Sequence, residues 1–163
     1  MAADATWFPL FEFQDYTYES FLLIPTREES GGPGATATSM KRWAGGDLML
    51  GQAMLSGESY TVGGQLTFAP GVELAVTARG VLGRENEPAC FEATGSGTDG
   101  RTKGAEYHLS GWVFSEPAAP GAGRVTAIYG AVRAVKGPDA RPGLELGGMP
   151  LGTTGSFVIR RKS

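Results

Sequence analysis

Hydrophobic and polar residues alternate along most of this chain, in short runs that glycine, proline or asparagine interrupt. Successive side chains of a β-strand point to opposite faces, so this alternation is typical of strands with one buried face. No long window carries an apolar stripe of helical spacing that is free of glycine and proline. The pattern therefore predicts eight strands, over residues 16–25, 48–57, 59–69, 72–82, 89–96, 105–116, 124–136 and 153–161.

Eight strands joined mostly by short connections predict an all-β fold, a single antiparallel β-barrel of about eight strands in meander order. A flattened sandwich is the alternative that the strand count leaves open. A closed sheet of eight strands is just wide enough to hold side chains or one small ligand. We expect one domain over residues 1–163, with an apolar N-terminal arm at 1–15 and long loops at 26–46 and 137–151. The arm has to pack on the barrel end or on a neighbouring subunit.

Composition narrows the range of partners. The chain has 163 residues and a formal charge of −3, and it has no basic stripe that could follow a nucleic-acid backbone. No apolar stretch is long enough for a transmembrane helix, and the N-terminus lacks the basic and apolar regions of a signal peptide. The single cysteine, Cys90, cannot form an internal disulfide. These features predict a cytoplasmic protein that binds neither nucleic acid nor a membrane.

The chain lacks the residue patterns of several common active sites. One histidine and one cysteine cannot form a zinc site of the Cys/His type. No Gly-Lys-Ser/Thr sequence is present to hold nucleotide phosphates, and no glycine-rich loop stands between a strand and a helix. We therefore expect no metal ion and no cofactor. Candidate chemistry is confined to polar residues within apolar strands.

Glu19 is the first candidate for catalysis. Strand alternation places it on one face with Phe21 and Leu23. A carboxyl group that is desolvated in an apolar cavity is a usable general acid or base. On the alternative interpretation Glu19 is a surface residue, opposite Tyr18 and Ser20 on the other face of the strand.

His108 is the second candidate for catalysis, on the predicted strand 105–116. It shares a face with Trp112 and Phe114, so the imidazole would stand beside two aromatic rings in the wall of an apolar pocket. Histidine suits proton transfer near neutral pH, and the two aromatic residues are candidates for substrate binding. The opposite face, which carries Tyr107, could equally be the interior.

Four further side chains are candidates for substrate binding. Tyr129 and Arg133 share one face of the seventh predicted strand, and Arg79 lies on the fourth. A guanidinium inside a barrel would bind a carboxylate or an enolate, whereas on the alternative interpretation both arginines point outward. Trp43, at the end of the first long loop, is either core filler or the cap of a cavity mouth.

Three short segments carry a resemblance to a known family: Tyr18–Glu19, Ala78–Gly80, and Gly152–Phe157, which approximates a Gly-Thr-Gly-x-Phe sequence. Together with the meander of glycine-interrupted strands, they make the chain similar to the calycin-type barrels and, within them, to the allene oxide cyclase-like and dirigent-like group. The resemblance implies a trimer whose apolar barrels hold a reactive polyene or epoxide so that it cyclises in one way. It also implies a role in secondary metabolism.

The first hypothesis for function is a cofactor-independent cyclase or isomerase that acts on a hydrophobic small molecule. The barrel would hold one reactive conformer in a dry cavity, with Glu19 as acid or base. His108, Tyr129 or Arg79 would stabilise developing negative charge. The alternative is a lipocalin-like binding protein without catalysis, and a third option is an interaction domain with a filled core. We expect a homo-oligomer, either a dimer or a trimer.

Overall fold

Strands make up nearly all the regular structure of this protein. The computed structural model describes residues 6–12, 14–27 and 36–162. Within these ranges there is no α-helix, and one single-turn 3₁₀ helix covers Gly100–Thr102. No helix in the described ranges is long and apolar enough to cross a membrane. The strands are β1 (Thr6–Leu10), β2 (Gln14–Arg27), β3 (Thr36–Leu50), β4 (Met54–Ser56), β5 (Ser59–Ala69), β6 (Val72–Val81), β7 (Gly83–Arg84), β8 (Ala89–Ser96), β9 (Glu106–Ala119), β10 (Ala122–Lys136) and β11 (Thr154–Arg161).

Eight of these strands close into a barrel. β2, β3, β5, β6, β8, β9 and β10 pair antiparallel, each with the next in this order, and β11 pairs with both β10 and β2. At the closure Tyr129 lies opposite Val158, and Val158 lies opposite Glu19. Each of the eight strands therefore has a neighbour on both sides, which removes the exposed edges of an open sheet. The predicted antiparallel barrel is confirmed.

Alternation along each strand separates an inner face from an outer face. On β6 the side chains of Leu74, Val76 and Ala78 are buried, while those of Glu73 and Thr77 are exposed. A slip of one residue would expose all three buried side chains, so this pattern fixes the register of the strand. The inner faces of the strands form one continuous hydrophobic core.

The N-terminal segment covers one end of the barrel. β1 pairs in parallel with β10, where Phe8 lies opposite Ala122, and antiparallel with β7, where Trp7 lies opposite Gly83. The Trp7 ring occupies the space into which a side chain at position 83 would project, so this contact requires glycine there. Within the predicted apolar arm, β1 is thus a strand that packs on the barrel. The first five residues of that arm lie outside the described residues.

The first predicted long loop, over residues 26–46, is wrong at both of its ends. β2 continues to Arg27 and β3 already begins at Thr36, and the two strands pair along their whole length. The composition of this segment, rich in glycine, serine and threonine, suggested a loop. Hydrogen bonds from β2 nevertheless hold residues 36–46 in an extended strand, because backbone pairing with a neighbouring strand outweighs a weak strand propensity. Residues 28–35 lie outside the described residues.

The segment between β10 and β11 contains no strand and lies across one end of the barrel. Backbone hydrogen bonds fasten it to its surroundings. Asp139 N–H donates to Lys103 O at 2.7 Å, and Gly152 N–H donates to Ala134 O at 2.8 Å. The segment is therefore held against the barrel at both of its ends.

Large aromatic side chains fill the end of the interior beneath β1. Phe11, Tyr16 and Tyr60 are fully buried there, and the rings of Phe11 and Tyr60 lie 5.8 Å apart. The Tyr60 hydroxyl donates a hydrogen bond to Cys90 O at 2.6 Å, so even its polar atom is paired. We call this part of the interior, around Phe11, Tyr16 and Tyr60, the closed end.

Candidate functional site

A cavity of about 250 Å³ occupies the opposite part of the interior. We call this the open end. The cavity is bounded by the β5–β6 turn, the start of β9 and the segment between β10 and β11. An engineered protein cavity of about 150 Å³ binds benzene, so this one has room for a one-ring compound with a short side chain. Most of its wall is apolar and comes from Leu66, Leu74, Val76, Phe91, Leu109 and Ile159.

One part of the cavity wall is polar. The Glu145 side chain lines the cavity although the residue is only 4 % exposed. The Tyr107 hydroxyl donates a hydrogen bond to Glu145 Oε2 at 2.6 Å, and Leu146 N–H donates to that hydroxyl at 3.1 Å. Glu145 Oε1 accepts a hydrogen bond from Met149 N–H at 2.9 Å. A hydrogen-bonded phenol and carboxyl group are therefore set into an otherwise apolar wall.

The backbone around Glu145 explains where its carboxyl group lies. Glu145 N–H donates to Met149 O at 2.8 Å, and Gly148 N–H donates to Glu145 O at 2.9 Å, so the chain makes a tight turn here. Gly147 stands inside this turn, where a side chain would press on Glu145 Oε1. The turn holds the carboxyl group towards Tyr107 and the cavity.

Burial changes the acidity of the two tyrosines that line the cavity. Desolvation raises the pKa of Tyr18 to about 12, and a hydrogen bond with Ser20 partly opposes this. Burial is also the largest cause of the raised pKa of Tyr107, and its hydrogen bond with Glu145 raises that pKa further. Both phenols are therefore neutral hydrogen-bonding groups at physiological pH.

Aromatic rings stand at the boundary between the cavity and solvent. Trp43 lines the cavity from β3, with its ring centre 6.3 Å from that of Tyr107. Phe68 packs edge-on against Tyr18 at 6.1 Å. Trp43 and Phe68 are only partly buried, because they cover the core at its solvent side. Of the site residues predicted from the sequence, Trp43 is the one whose side chain lines the cavity.

Glu19 lies on the outer face of the barrel. Over residues 14–22, the part of β2 whose burial is described, the buried side chains are Tyr16, Tyr18, Ser20 and Leu22, so alternation turns Glu19 away from the interior. The prediction that Glu19 stands in an apolar cavity is wrong, and the alternative of a surface residue holds. Both faces of this strand carry aromatic residues, so the sequence could not choose between them.

His108, Trp112 and Phe114 also lie on the outer face. On β9 the inward side chains include Tyr107, which leaves the alternate positions to solvent. His108 Nε2 lies 3.0 Å from Glu106 Oε2, and the His108 side chain is 55 % exposed. Trp112 and Phe114 are 54 % and 44 % exposed. The predicted pocket wall is therefore the other face of this strand, as the alternative interpretation had it.

A β-bulge decides the orientation of Tyr129 and Arg133. The pairing of β10 with β9 shifts by one residue between Val125 and Ala127. Val125 and Ile128 are buried, whereas Tyr129 and Arg133 are exposed. Strict alternation from the buried Val125 would turn Tyr129 and Arg133 inward as well. The extra residue of the bulge breaks that alternation, so both side chains point outward. The prediction that Tyr129 and Arg133 line the interior is wrong for this reason.

Arg79 lies on the outer face of β6, opposite Glu92 of β8. A groove on this face brings Arg79 and His108 together with the hydroxyl groups of Thr94 and Ser110. The groove is outside the barrel and shares no polar group with the cavity. Two predicted site residues are thus neighbours, but the prediction that Arg79 points into the barrel is wrong.

The polar pair of the cavity was not predicted as a site. Glu145 stands in a glycine- and proline-rich segment where no alternation marks a buried face. Its flanking residues, Leu144 and Leu146, are the one local signal, since a carboxyl group between two leucines is unusual for a solvent-exposed loop. In the described ranges, no three His, Cys, Asp or Glu side chains come together as ligands for a metal ion.

Comparisons with protein-family models, with curated proteins and with solved structures found no match to this chain. The class that the geometry itself defines is a small antiparallel barrel with a partly open apolar cavity. The resemblance to the allene oxide cyclase-like group, the homo-oligomer and the cytoplasmic location stay predictions.

Proposed function

We propose that this protein binds a small, largely apolar molecule in the cavity at the open end of its barrel. The observation that carries the proposal is the cavity of about 250 Å³, which borders the hydrophobic core and is lined mostly by apolar side chains. Protein cores leave few voids larger than a water molecule, because unfilled space costs stability. An apolar pocket with a few converging polar groups is the usual form of a small-molecule site.

Binding takes precedence over catalysis because of where the predicted catalytic residues lie. Glu19 and His108 are on the outer face, so neither can reach a molecule held inside the barrel. Among the polar residues that line the cavity are Tyr107 and Glu145, whose hydrogen bonds also fasten the segment between β10 and β11. A structural role accounts for these bonds without any reaction.

A cofactor-independent cyclase or isomerase is the second candidate. The 2.6 Å hydrogen bond between the Tyr107 hydroxyl and Glu145 Oε2, at the surface of the cavity, favours it. A carboxylate in that position would accept a proton from a bound molecule and return it to another atom, while the cavity holds one conformer. If the protein is such an enzyme, Glu145 takes the acid–base role that the sequence analysis predicted for Glu19.

Binding is tested with a variant whose larger side chain occupies part of the cavity. Ala93 lines the cavity from β8, whereas Ala131 is exposed on the outer face of β10. We expect ethylbenzene to bind the wild-type protein and the Ala131→Leu control equally, measured by calorimetry and by thermal stabilisation. Ala93→Leu should weaken binding by about tenfold or more, which corresponds to about 1.4 kcal/mol, because its side chain takes the place of the ligand.

Native mass spectrometry of gently purified protein complements this titration. A small molecule released on denaturation would name the ligand class and provide a compound with which to measure turnover. Turnover that Glu145→Gln abolishes would favour the cyclase or isomerase, and unchanged compound would favour binding alone. Absence of both a released compound and stabilisation by ethylbenzene would refute the proposed function.

A further inference from the structure

Glu145 is a buried carboxyl group that faces the cavity, and within the described ranges no cationic side chain forms an ion pair with it. The residue is 4 % exposed. Among the side chains that the structure describes, the ion pairs of lysine, arginine and histidine involve other carboxyl groups. A buried carboxylate costs free energy unless a counter-charge and hydrogen bonds compensate it. The protein supplies the hydrogen bonds, and the counter-charge is left to whatever enters the cavity.

The hydrogen-bond inventory shows what the polar wall can offer to a ligand. Each oxygen of Glu145 accepts one hydrogen bond from the chain, and a carboxylate can accept about four. Tyr107 has one hydroxyl proton, which it gives to Glu145, and it accepts from Leu146 N–H. This part of the wall therefore has spare acceptors and no spare donor. Beside Glu145 the wall therefore favours a ligand that donates hydrogen bonds over one that can only accept them.

Aromatic rings beside the carboxyl group favour a positive charge on that ligand. The Trp43 and Tyr107 rings lie 6.3 Å apart and both line the cavity, as does Phe68. The faces of such rings attract ammonium groups, most strongly for tryptophan and more strongly where water is excluded. A carboxylate and aromatic faces together bind a cation better than they bind a neutral alcohol.

We propose that the ligand of this cavity is a small apolar amine, bound as its ammonium form with the nitrogen at Glu145 and the apolar body against the aliphatic wall. This inference rests on the proposed function, since it names the ligand class of the same cavity. The ammonium group donates to the free lone pairs of Glu145 and brings the missing counter-charge. The apolar body displaces water from the wall formed by Leu74, Val76 and Leu109.

Three probes of nearly equal shape test the ligand class. Benzylamine, benzyl alcohol and ethylbenzene differ only in the group at the end of their short side chain. We expect benzylamine to bind the wild-type protein about tenfold or more tightly than either of the others, which is the effect of one charge-assisted hydrogen bond. Calorimetry at neutral pH, where benzylamine is cationic, measures all three dissociation constants.

Two variants locate the effect. Glu145→Gln should remove the preference for benzylamine, expressed as the ratio of the benzylamine and ethylbenzene dissociation constants in the same variant. Glu92→Gln, which neutralises an exposed carboxyl group on the outer face of β8, is the matched control and should preserve the preference. The comparison of probes on the wild-type protein stands even if Glu145→Gln does not fold.

The outcomes separate this inference from the proposed function. If ethylbenzene or benzyl alcohol binds as tightly as benzylamine, the cavity binds apolar molecules but the amine is refuted. If the preference survives in Glu145→Gln, the cation is recognised elsewhere and the inference is equally refuted. If none of the three binds, the proposed function fails together with it.

Discussion

The two ends of the barrel interior are built by the same strands, yet one is a core and the other contains a cavity, the candidate site. At the closed end the inward positions hold Phe11, Tyr16 and Tyr60, whose rings fill the width of the barrel. At the open end small residues such as Ala93 and Gly95 take inward positions on β8. A closed sheet of eight strands is just wide enough for side chains or one small ligand, so small inward residues contribute to the space that remains at the open end.

The tyrosine hydroxyls of the two ends also differ in the groups to which they donate hydrogen bonds. At the closed end the Tyr16 and Tyr60 hydroxyls donate to backbone oxygens, those of Phe11 and Cys90, at 3.4 Å and 2.6 Å. At the open end Tyr107 donates to a side-chain carboxyl group that borders free space. Pairing with the backbone stabilises a fixed core, whereas the carboxyl group keeps acceptors that a ligand can use.

Removing one aromatic ring from each end should give the largest contrast. Phe11→Ala empties a fully buried position and should lower the free energy of unfolding by about 3–5 kcal/mol. Phe68→Ala removes a ring that is only partly buried at the mouth of the cavity, so we expect a loss of about 1 kcal/mol. Urea unfolding of both variants measures the difference. Equal losses would contradict the division into a packed end and an open end.

Alkaline pH should destabilise both ends through their buried tyrosines. The pKa of Tyr18 is raised from 10.0 to about 12 in the folded protein, and burial likewise raises the pKa values of Tyr16, Tyr60 and Tyr107. Below pH 10 this stability is fully present. Between about pH 10 and 12 the unfolded chain loses protons that the folded protein keeps, so stability falls, by about 3 kcal/mol for Tyr18 alone.

Urea unfolding at pH 8 and at pH 11, with tyrosinate absorbance recorded in parallel, measures this loss. In Tyr18→Phe the decrease between the two pH values should be smaller than in the wild type, because one titrating group is gone. Ionisation of all these tyrosines near pH 10 without any unfolding would contradict the burial that the structure shows.

Removing a single hydroxyl group should destabilise the open end more than the closed end, the reverse of what we expect for the two phenylalanine variants. Tyr107→Phe removes the phenol that pairs with Glu145 Oε2 and with Leu146 N–H. We expect the free energy of unfolding to fall by about 2 kcal/mol. Tyr60→Phe removes one hydrogen bond to Cys90 O and should cost about 1 kcal/mol. Thermal or urea unfolding compares the two. A smaller loss in Tyr107→Phe would mean that water in the cavity replaces the phenol.

Substitutions on the outer face should change least. Glu19→Gln and His108→Ala alter side chains outside the cavity, so ethylbenzene should bind both variants with an affinity within about twofold of the wild type. Their stabilities should lie within about 0.5 kcal/mol of the wild type, as is usual for surface positions. A clear loss of ethylbenzene binding in either variant would mean that the substituted residue contributes to ligand binding.

Alternation in the sequence predicts the barrel but not which face of each strand is inside. Runs such as 72–82 and 89–96 match β6 and β8 closely, since alternation and turn residues agree there. On β2 both faces carry aromatic residues, and on β10 a bulge after Val125 inverts the pattern, so a local rule places Glu19 and Tyr129 wrongly. Only pairing with neighbouring strands settles such positions.

The functional site was harder to predict than the fold for a related reason. Its wall comes from all eight strands of the barrel and one irregular segment, and residues such as Ala93 or Gly95 mark a cavity only by being small. Glu145 belongs to a turn that no periodic pattern describes. Trp43 could be proposed at a cavity mouth because a large aromatic residue in a glycine-rich segment stands out even without a known register.

The last strand determines when this protein can fold. β11 pairs with β10, which precedes it in the chain, and with β2, which lies near the other end of the sequence. During synthesis the barrel therefore stays open until residues 154–161 have left the ribosome. Until then β2 and β10 each present a row of unpaired backbone groups, to which other chains can add a strand. Contacts between residues so distant in sequence also form slowly, so the newly made chain needs protection from aggregation for longer than a helical protein of its size.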